Sequence, residues 1–156
     1  KTGKMGAFPM EWGFTAMKKR IINPRLETAA QKPLFADSFM QRRGILPMTY
    51  YFEWENREEQ LPSLLDGTGW EPVEKRRTRY MIRPEGEGTL FLAGIYRYER
   101  NKKLPVFSVL TCEPHESIAW LHDRMPVILA RQDAFSFLQD ASVAGKRQQK
   151  MIFRAG

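Results

Sequence analysis

Short runs in which apolar and polar residues alternate dominate the chain, and they predict a protein built mainly from β-strands. The runs richest in β-branched and aromatic residues are FPMEWGF (8–14), RIIN (20–23), GILPMTYYFEWE (44–55), RYMIR (79–83), TLFLAGIYRYE (89–99), PVFSVLTC (105–112) and PVILA (126–130). Helical patterns are fewer and shorter: FADSFMQRR (35–43), PHESIAWL (114–121) and QDAFSFLQD (132–140). Because strands and helices do not alternate regularly, this predicts an α+β fold with a mostly antiparallel, barrel-like sheet core and a few short flanking helices.

The length of 156 residues is typical of one domain that buries its own core, so we expect a single domain over residues 1–156. No apolar run reaches the roughly 18 residues of a membrane-spanning helix. Cys112 is the only cysteine, which excludes an internal disulfide and favours a reducing compartment. We therefore expect a cytoplasmic protein without a membrane partner, nucleoid-associated if its source is bacterial. Because the chain begins at Lys1 and not at methionine, we also expect that an N-terminal segment is missing.

Positive charge is gathered in clusters, and the net charge is +7 with a pI of about 9.7. The clusters are Lys18–Arg20, Arg42–Arg43, Lys75–Arg79 and Lys102–Lys103. A field of this sign attracts polyanions such as nucleic acids in a salt-sensitive way. The same charge also serves solubility alone, so a DNA-binding protein and a basic protein without a nucleic-acid partner both stay open.

The strand YYFEWE (50–55) and the junction LHDRMPVIL (121–129) carry the candidate acid–base groups. In an extended strand Glu53 lies between aromatic neighbours, where partial burial would suit it to general acid–base catalysis. His122 lies where a short helix would meet the buried strand 126–130, a kind of junction at which functional groups are often displayed. A solvent-facing glutamate and a structural, hydrogen-bonded histidine are the alternatives.

Three residues near the start of the chain are candidates for contacts with DNA. Pro24 holds Asn23 in an extended conformation, so the Asn23 amide and the Arg25 guanidinium project side by side, which suits contacts to a phosphate or a sugar. A capped turn with a surface arginine is the alternative. Trp12, which precedes Gly13, either packs in the core or provides a platform on which a base stacks.

Several of these pieces, in this order, resemble one protein family. They are Trp12-Gly13-Phe14, NPRLETAAQKPLF (23–35), RRGILPMTYYFEW (42–54), FLAGIY (91–96), TCEPHESIAWLHDRMPVIL (111–129) and DAFSFL (133–138). Each is weak alone, but HDRMPVIL, FEW and the N-x-R-x-E-T box together are similar to the SRAP family, named for SOS-response-associated peptidases. Its members shield abasic sites in single-stranded DNA. The resemblance covers residues 8–140 and identifies a single SRAP-like domain.

The resemblance implies a covalent chemistry at an N-terminal cysteine, whose α-amine and thiol condense with the ring-opened aldehyde of an abasic site to a thiazolidine crosslink. It implies that Asn23 orients the amine and the sugar, and that Glu53 moves protons during sugar opening and ring closure. His122 would assist Schiff-base formation and its reversal. The implied DNA contacts are Trp12, Arg25, which would bind a phosphate, Thr111 and Arg124. The implied partner is single-stranded DNA with abasic sites, bound by a monomer.

The sequence departs from the family at the residue that carries this chemistry. It lacks the Met-Cys-Gly-Arg-type start, and Cys112 lies in mid-chain with its amine in a peptide bond. We therefore expect abasic-site recognition and shielding, with crosslinking by an N-terminal cysteine that is not in this chain. A non-covalent DNA-binding relative and a cysteine hydrolase or peptidase using Cys112 and His122 stay open. We expect no cofactor, and no metal, because His115 and His122 are too far apart in sequence to form a zinc motif with one thiol.

Overall fold

The computed structural model of the chain describes residues 6–59, 74–86, 88–146 and 150–156. Its strands are β1 (Glu11–Trp12), β2 (Phe14–Ala16), β3 (Lys19–Ile21), β4 (Arg43–Met48), β5 (Tyr51–Glu59), β6 (Glu74–Pro84), β7 (Leu90–Arg97), β8 (Val106–Val109), β9 (Thr111–Cys112), β10 (Met125–Pro126), β11 (Ile128–Leu129) and β12 (Met151–Ala155). Its helices are α1 (Leu26–Ala29), α2 (Ala36–Gln41), α3 (Arg131–Phe137) and a 3-10 helix, Ala141–Gly145. The predicted α+β class is confirmed, and the strands in the described part of the chain lie in separate sheets that do not close into a barrel.

The central sheet is organised around β7, whose two edges are both paired. Antiparallel β4 runs along one edge, and β8 and β11 follow one another along the other. The short strand β1 adds to β8 in parallel orientation, with Trp12 opposite Phe107. Because β7 is covered on both faces, its residues Leu92–Ile95 are buried, which explains why this stretch lacks the alternation of a half-exposed strand.

A second sheet, in the order β12-β6-β5, packs against the central sheet through one face only. Along β5 the pleat sends Tyr51, Glu53 and Glu55 to the inner face, with Glu55 fully buried. The aromatic residues between them are exposed. Glu53 is therefore on the inner side of the molecule, and the sequence pattern gave the two faces correctly without indicating which was inner.

Two hydrophobic clusters form the core. One lies among Phe14, Phe35, Phe39 and the central sheet, with α3 contributing Phe137. The other joins the second sheet to the segment before β10 through Ile82, Ile118, Leu121, Met125 and Met151. Cys112 packs against both clusters, so the β9–β10 pair is the place where the two halves of the core meet.

Three predicted elements differ from the structure. The run 44–55 breaks at Thr49–Tyr50 into β4 and β5, and the helix expected at 35–43 ends at Gln41 because Arg43 already pairs with Ile95 in β7. The helix predicted at 114–121 is wrong, since this segment forms successive turns in which the Ile118 N–H donates to His115 O and the Leu121 N–H to Ile118 O. Residues 60–73 of the predicted connection lie outside the described residues. No helix among the described residues is long and apolar enough to cross a membrane.

Candidate nucleic-acid interface

The extended segment that carries Asn23 and Arg25 is held against the central sheet by its backbone. The Val109 N–H donates to Ile22 O at 3.0 Å, and the Thr111 N–H donates to Pro24 O at 2.9 Å. These bonds run the segment parallel to β8 and β9, so that Pro24 is buried and the residues on either side of it are exposed. In an extended segment, residues two apart lie on one face, so the side-by-side projection of the Asn23 amide and the Arg25 guanidinium stays a prediction consistent with this exposure.

Arg124 joins this segment to the turn that contains His122. Its Nη2 donates to the Glu27 carboxylate at 2.8 Å and to the Thr111 carbonyl at 2.7 Å. The Arg124 hydrogen bond lowers the pKa of Glu27, although partial burial opposes the shift. The guanidinium is mostly buried, with its side chain 16% exposed, and the Nε has no hydrogen-bond partner among the described residues. Arg124 therefore ties together two stretches that lie 97 residues apart in sequence.

The turn 122–124 also fixes the imidazole of His122. The Arg124 backbone N–H donates to His122 Nδ1 at 3.0 Å, which requires a lone pair on that nitrogen. The Asp123 carboxylate lies 2.9 Å from the same nitrogen and would require a proton there. The backbone N–H is held by the turn, whereas the Asp123 side chain is 78% exposed. The backbone bond therefore favours a lone pair on Nδ1 and places the ring N–H on Nε2.

Glu53 reaches the same region from the second sheet. Its carboxylate accepts a long hydrogen bond from the Trp54 N–H at 3.3 Å, and in the β5–β6 register it lies opposite Tyr80. The Tyr80 ring packs edge-on against Trp120, with centroids 5.1 Å apart. Glu53 is thus half-buried, and its cross-strand neighbour Tyr80 packs against an aromatic ring.

Tyr51 and Cys112 connect Glu53 to the Arg124 junction. Burial, the Glu53 carboxylate and the Cys112 thiol all raise the pKa of the Tyr51 phenol. Burial raises the pKa of the Cys112 thiol to about 11, against the opposing effect of the Arg124 guanidinium. Tyr51 and Cys112 both pack against the second core cluster, and the raised pKa values leave the phenol and the thiol uncharged near neutral pH.

Trp12 lies beside the start of the Asn23 segment. Its side chain is half exposed, its Nε1–H donates to Ile22 O at 3.4 Å, and its ring stacks on Phe107 with centroids 6.4 Å apart at 12°. One ring face is thus supported by the protein, which is an arrangement suited to stacking a base on the other.

Two residues have roles that sequence reasoning missed. Thr111 was expected on the DNA path, but it is 6% exposed and its hydroxyl donates to Pro24 O at 3.3 Å. Its contacts therefore lie inside the protein. Glu27 belongs to the N-x-R-x-E-T box, and it is the partner of Arg124. The signal was present in the fixed spacing of the box, but a sequence does not show which distant cation the glutamate meets.

In the described part of the chain, neither a cluster of metal-ligating side chains nor the cleft near Gly86 coincides with these residues. Among the described residues no group of three or more His, Cys, Asp or Glu side chains is placed to hold a metal ion. A shallow cleft of about 380 Å³ lies between the turn around Gly86 and the start of α3, and it is lined by none of the predicted site residues.

The family model for the SOS response associated peptidases (SRAP) matches residues 1–155, so the chain belongs to the SRAP family. It is 25% identical over 136 residues to the abasic site processing protein YoaM of Bacillus subtilis, covering 85% of this chain and 53% of YoaM. It is 28% identical over 110 residues to the abasic site processing protein YMR114C of Saccharomyces cerevisiae, covering 70% of this chain and 26% of that protein. YedK of Escherichia coli, also an abasic site processing protein, is 24% identical over 148 residues, covering 92% of this chain and 59% of YedK.

Solved structures share the fold at lower identity. A phage-related protein from Bordetella bronchiseptica superposes with a TM-score of 0.68 at 19% identity, covering 94% of this chain and 70% of its own. A protein from Bacteroides thetaiotaomicron gives a TM-score of 0.64 at 24% identity, covering 85% and 57%. The chain thus spans about half the length of the B. subtilis and E. coli relatives it matches, and a quarter of the yeast one.

Proposed function

We propose that this chain binds single-stranded DNA and recognises abasic sites in it. The observation that carries the proposal is the Arg124 junction, which brings the exposed Asn23–Arg25 segment and the His122 turn onto one surface. Membership of the SRAP family, and relatives described as abasic site processing proteins, support DNA with abasic sites as the ligand. The net charge of +7 supplies the attraction to a polyanion.

Each exposed residue of the interface has a proposed role. Arg25 binds a phosphate, and the adjacent Asn23 amide binds the sugar. Trp12 stacks a base that flanks the abasic position, using the ring face that Phe107 leaves open. Arg124, which is mostly buried, contributes to the DNA path through its charge, and Thr111 contributes by holding Pro24 in place.

The covalent step is proposed for an N-terminal cysteine, which is not among the 156 residues. The cysteine amine would add to the aldehyde and lose water to give a Schiff base, and its thiol would then add across the C=N bond to close a thiazolidine. Glu53 would move protons during sugar opening and ring closure. His122, with its proton on Nε2, would assist formation and reversal of the Schiff base.

A cysteine hydrolase built on Cys112 and His122 is the weaker candidate. Its nucleophile would have to be a thiolate, but burial raises the pKa of the Cys112 thiol to about 11. Within the described part of the chain no hydrogen bond joins Cys112 to His122, whose Nδ1 accepts from Arg124. A DNA-binding relative that performs no covalent step fits the same surface, and the crosslinking experiment below separates it from the main proposal.

Binding to single-stranded DNA tests the non-covalent part. Affinity measured by fluorescence anisotropy should fall steeply with salt, because each neutralised phosphate releases counterions with a log–log slope of about −0.7 per contact. Arg25→Ala should reduce the slope by about one contact, whereas Arg131→Ala, an exposed arginine at the start of α3, should not. Salt-independent binding would count against the DNA assignment.

Trp12→Ala separates stacking from a structural role. Because the indole is half exposed, we expect the melting temperature to change little while DNA binding weakens by about 1–3 kcal/mol. A large fall in melting temperature with unchanged affinity per folded molecule would show that Trp12 acts in folding alone.

Crosslinking to abasic DNA tests the covalent part. The chain as it stands should give no product that survives denaturing electrophoresis, and extension with a leading cysteine segment from a relative should give one. In the extended protein Glu53→Gln should slow formation by on the order of 10²–10⁴-fold. His122→Ala should slow formation or reversal, and Cys112→Ser should change little. Loss of crosslinking on Cys112→Ser would overturn the thiazolidine mechanism.

A further inference from the structure

Tyr51 has a buried hydroxyl that is left without a hydrogen-bond partner in the described part of the chain. An unpaired buried hydroxyl is costly, because it has lost its bonds to water without replacing them. Such groups are rare in native proteins, and each calls for an explanation. The phenol stays protonated, since its pKa is raised by burial and by the neighbouring Glu53 carboxylate. It is therefore a hydrogen-bond donor that lacks an acceptor.

Tyr80 provides the contrast on the same face of the same sheet. It is paired in register with Glu53, and its hydroxyl donates to the Glu55 carboxylate at 3.2 Å. Two tyrosines of one sheet face thus differ in one respect: the Tyr80 hydroxyl has an acceptor and the Tyr51 hydroxyl does not. General burial of the sheet does not account for the difference, because both side chains are half-buried.

The surroundings of Tyr51 indicate which ligand atom its hydroxyl would meet. It lies two residues before Glu53 on one pleat face, so the two side chains are neighbours. It also packs against the second core cluster together with Cys112, which precedes the His122 turn and follows the Thr111 carbonyl bound by Arg124. The Tyr51 hydroxyl is therefore buried beside Glu53, the residue proposed to act on the abasic sugar, and a sugar that enters this position would supply the missing acceptor.

We propose that Tyr51 is a specificity-determining residue whose hydroxyl donates a hydrogen bond to the C1 oxygen of the abasic deoxyribose. The inference rests on the proposed function and adds the atom by which the site distinguishes an abasic sugar from one without that oxygen. In the closed sugar the acceptor is the oxygen of the C1 hydroxyl. After ring opening, in which Glu53 is proposed to move protons, the acceptor is the aldehyde oxygen. An uncharged phenol suits an uncharged oxygen, whereas a cation would also attract phosphates anywhere along the strand.

The test compares two oligonucleotides that differ only at C1. One single strand carries a natural abasic site, and the other carries its tetrahydrofuran analogue, which lacks the C1 oxygen. The chain should prefer the natural site by up to about tenfold, the factor that corresponds to one hydrogen bond of about 1.4 kcal/mol. Tyr51→Phe should abolish the preference, leave affinity for the analogue unchanged, and leave the melting temperature unchanged or raised. Binding is read by anisotropy, with denaturing electrophoresis to verify that no covalent product has formed.

Tyr80→Phe is the matched control. It should lower the melting temperature, because the buried Glu55 carboxylate loses a donor, and it should retain the preference for the natural site. A Tyr51→Phe variant that keeps the preference, or that loses affinity for both strands equally together with stability, would overturn the assignment. If the unmodified chain binds both strands equally, the Tyr51 assignment alone fails. If it binds neither, the proposed function fails with it.

Discussion

Two arginine–glutamate pairs hold segments of this chain against the sheets, and the pairs differ in burial and in the number of hydrogen bonds that they make. Arg97 and Glu99 hold the β2–β3 hairpin, whereas Arg124 and Glu27 hold the Asn23–Arg25 segment against the His122 turn. The first pair is largely buried on both sides, with side-chain exposures of 22% and 14%. In the second, the arginine is 16% exposed but the glutamate is 46% exposed.

The Arg97 pair is satisfied by a dense set of contacts. Both Nε and Nη2 donate to the Glu99 carboxylate, Nη2 donates to Thr15 O at 2.7 Å, and the guanidinium lies 4.5 Å over the Phe14 ring. The Thr15 N–H also donates to Glu99 at 2.9 Å. Burial alone would raise the pKa of Glu99, but these hydrogen bonds outweigh it and the pKa is lowered.

The Arg124 pair makes fewer hydrogen bonds than the Arg97 pair. A single nitrogen, Nη2, makes both of its side-chain hydrogen bonds, and the buried Nε lacks a partner within the described residues. The Tyr51 hydroxyl likewise has no hydrogen-bond partner among the residues that the structure describes. The comparison teaches that the same residue pair is used with different numbers of hydrogen bonds: the Arg97 pair, which serves the fold, is held by many contacts, whereas the Arg124 pair beside the proposed DNA surface is held by few.

Removal of Arg97 should produce the largest loss of stability. Arg97→Ala leaves the buried Glu99 carboxylate without its cation and the Thr15 carbonyl without its donor, so we expect a loss of about 3 kcal/mol in the free energy of unfolding. DNA affinity per folded molecule should be unchanged. Chemical denaturation and anisotropy on the same sample measure both, and a variant that unfolds like the parent would remove the basis of the comparison.

Removal of Arg124 should reduce stability less than removal of Arg97 does, but it should also weaken DNA binding. Arg124→Ala loses two charge-assisted hydrogen bonds at a partly exposed pair, so we expect the free energy of unfolding to fall by at most about 2 kcal/mol. Binding of abasic DNA should weaken, because the His122 turn is released from the Asn23 segment. The double variant with Glu27→Gln should be no less stable than Arg124→Ala alone. Strict additivity of the two substitutions would show that the pair is not coupled in solution.

Acid should affect the two pairs in the same direction. Glu99 has a folded-state pKa below its ordinary value of 4.5, so its stabilisation is complete above that pH and is lost as pH falls through the folded-state pKa. Glu27 follows the same rule. Glu99→Gln should therefore flatten the fall in unfolding free energy below about pH 4.5. Glu27→Gln should flatten the fall less, because the Glu27 carboxylate of the parent chain is exposed and better screened by solvent. A steeper acid limb in Glu99→Gln would contradict the sign.

The smallest effect concerns the hairpin that Arg97 holds. Its two-residue turn, Met17–Lys18, has positive φ at both positions, 46° and 63°, as a type I′ turn requires. Neither residue type favours that conformation. Replacing the pair by Asn-Gly should stabilise the protein by about 1 kcal/mol, measured by thermal melting. A fall in melting temperature would mean that the turn adopts another conformation.

The fold and part of the site were predictable from local patterns. Alternation indicated most strands, and the extended segment around Pro24 leaves Asn23 and Arg25 exposed on either side of a buried proline. The two-residue repeat of side-chain direction in a β-strand also indicated that Glu53 and Tyr51 lie on the same face. These inferences succeeded because strand geometry and the restriction imposed by proline act over a few residues.

The remaining features depend on contacts between distant residues. Residues 114–121 carry a helical pattern but form turns, because the Ser117 hydroxyl accepts from the Met151 N–H and the Met125 sulfur accepts from the His115 N–H. Both partners, Met151 and Met125, lie on strands that are distant in sequence or follow the segment. Likewise Glu27 meets Arg124 across 97 residues, and no local pattern in the sequence identifies that partner.

The most direct test of the central claim is hydrogen–deuterium exchange of the chain with and without a single strand carrying one abasic site. We predict slower exchange in residues 22–27 and 111–125, which Arg124 joins, and unchanged exchange in residues 95–104, which include the Arg97–Glu99 pair. Protection confined to other segments, or none at a DNA concentration where anisotropy shows saturation, would contradict a DNA interface built on the Arg124 junction.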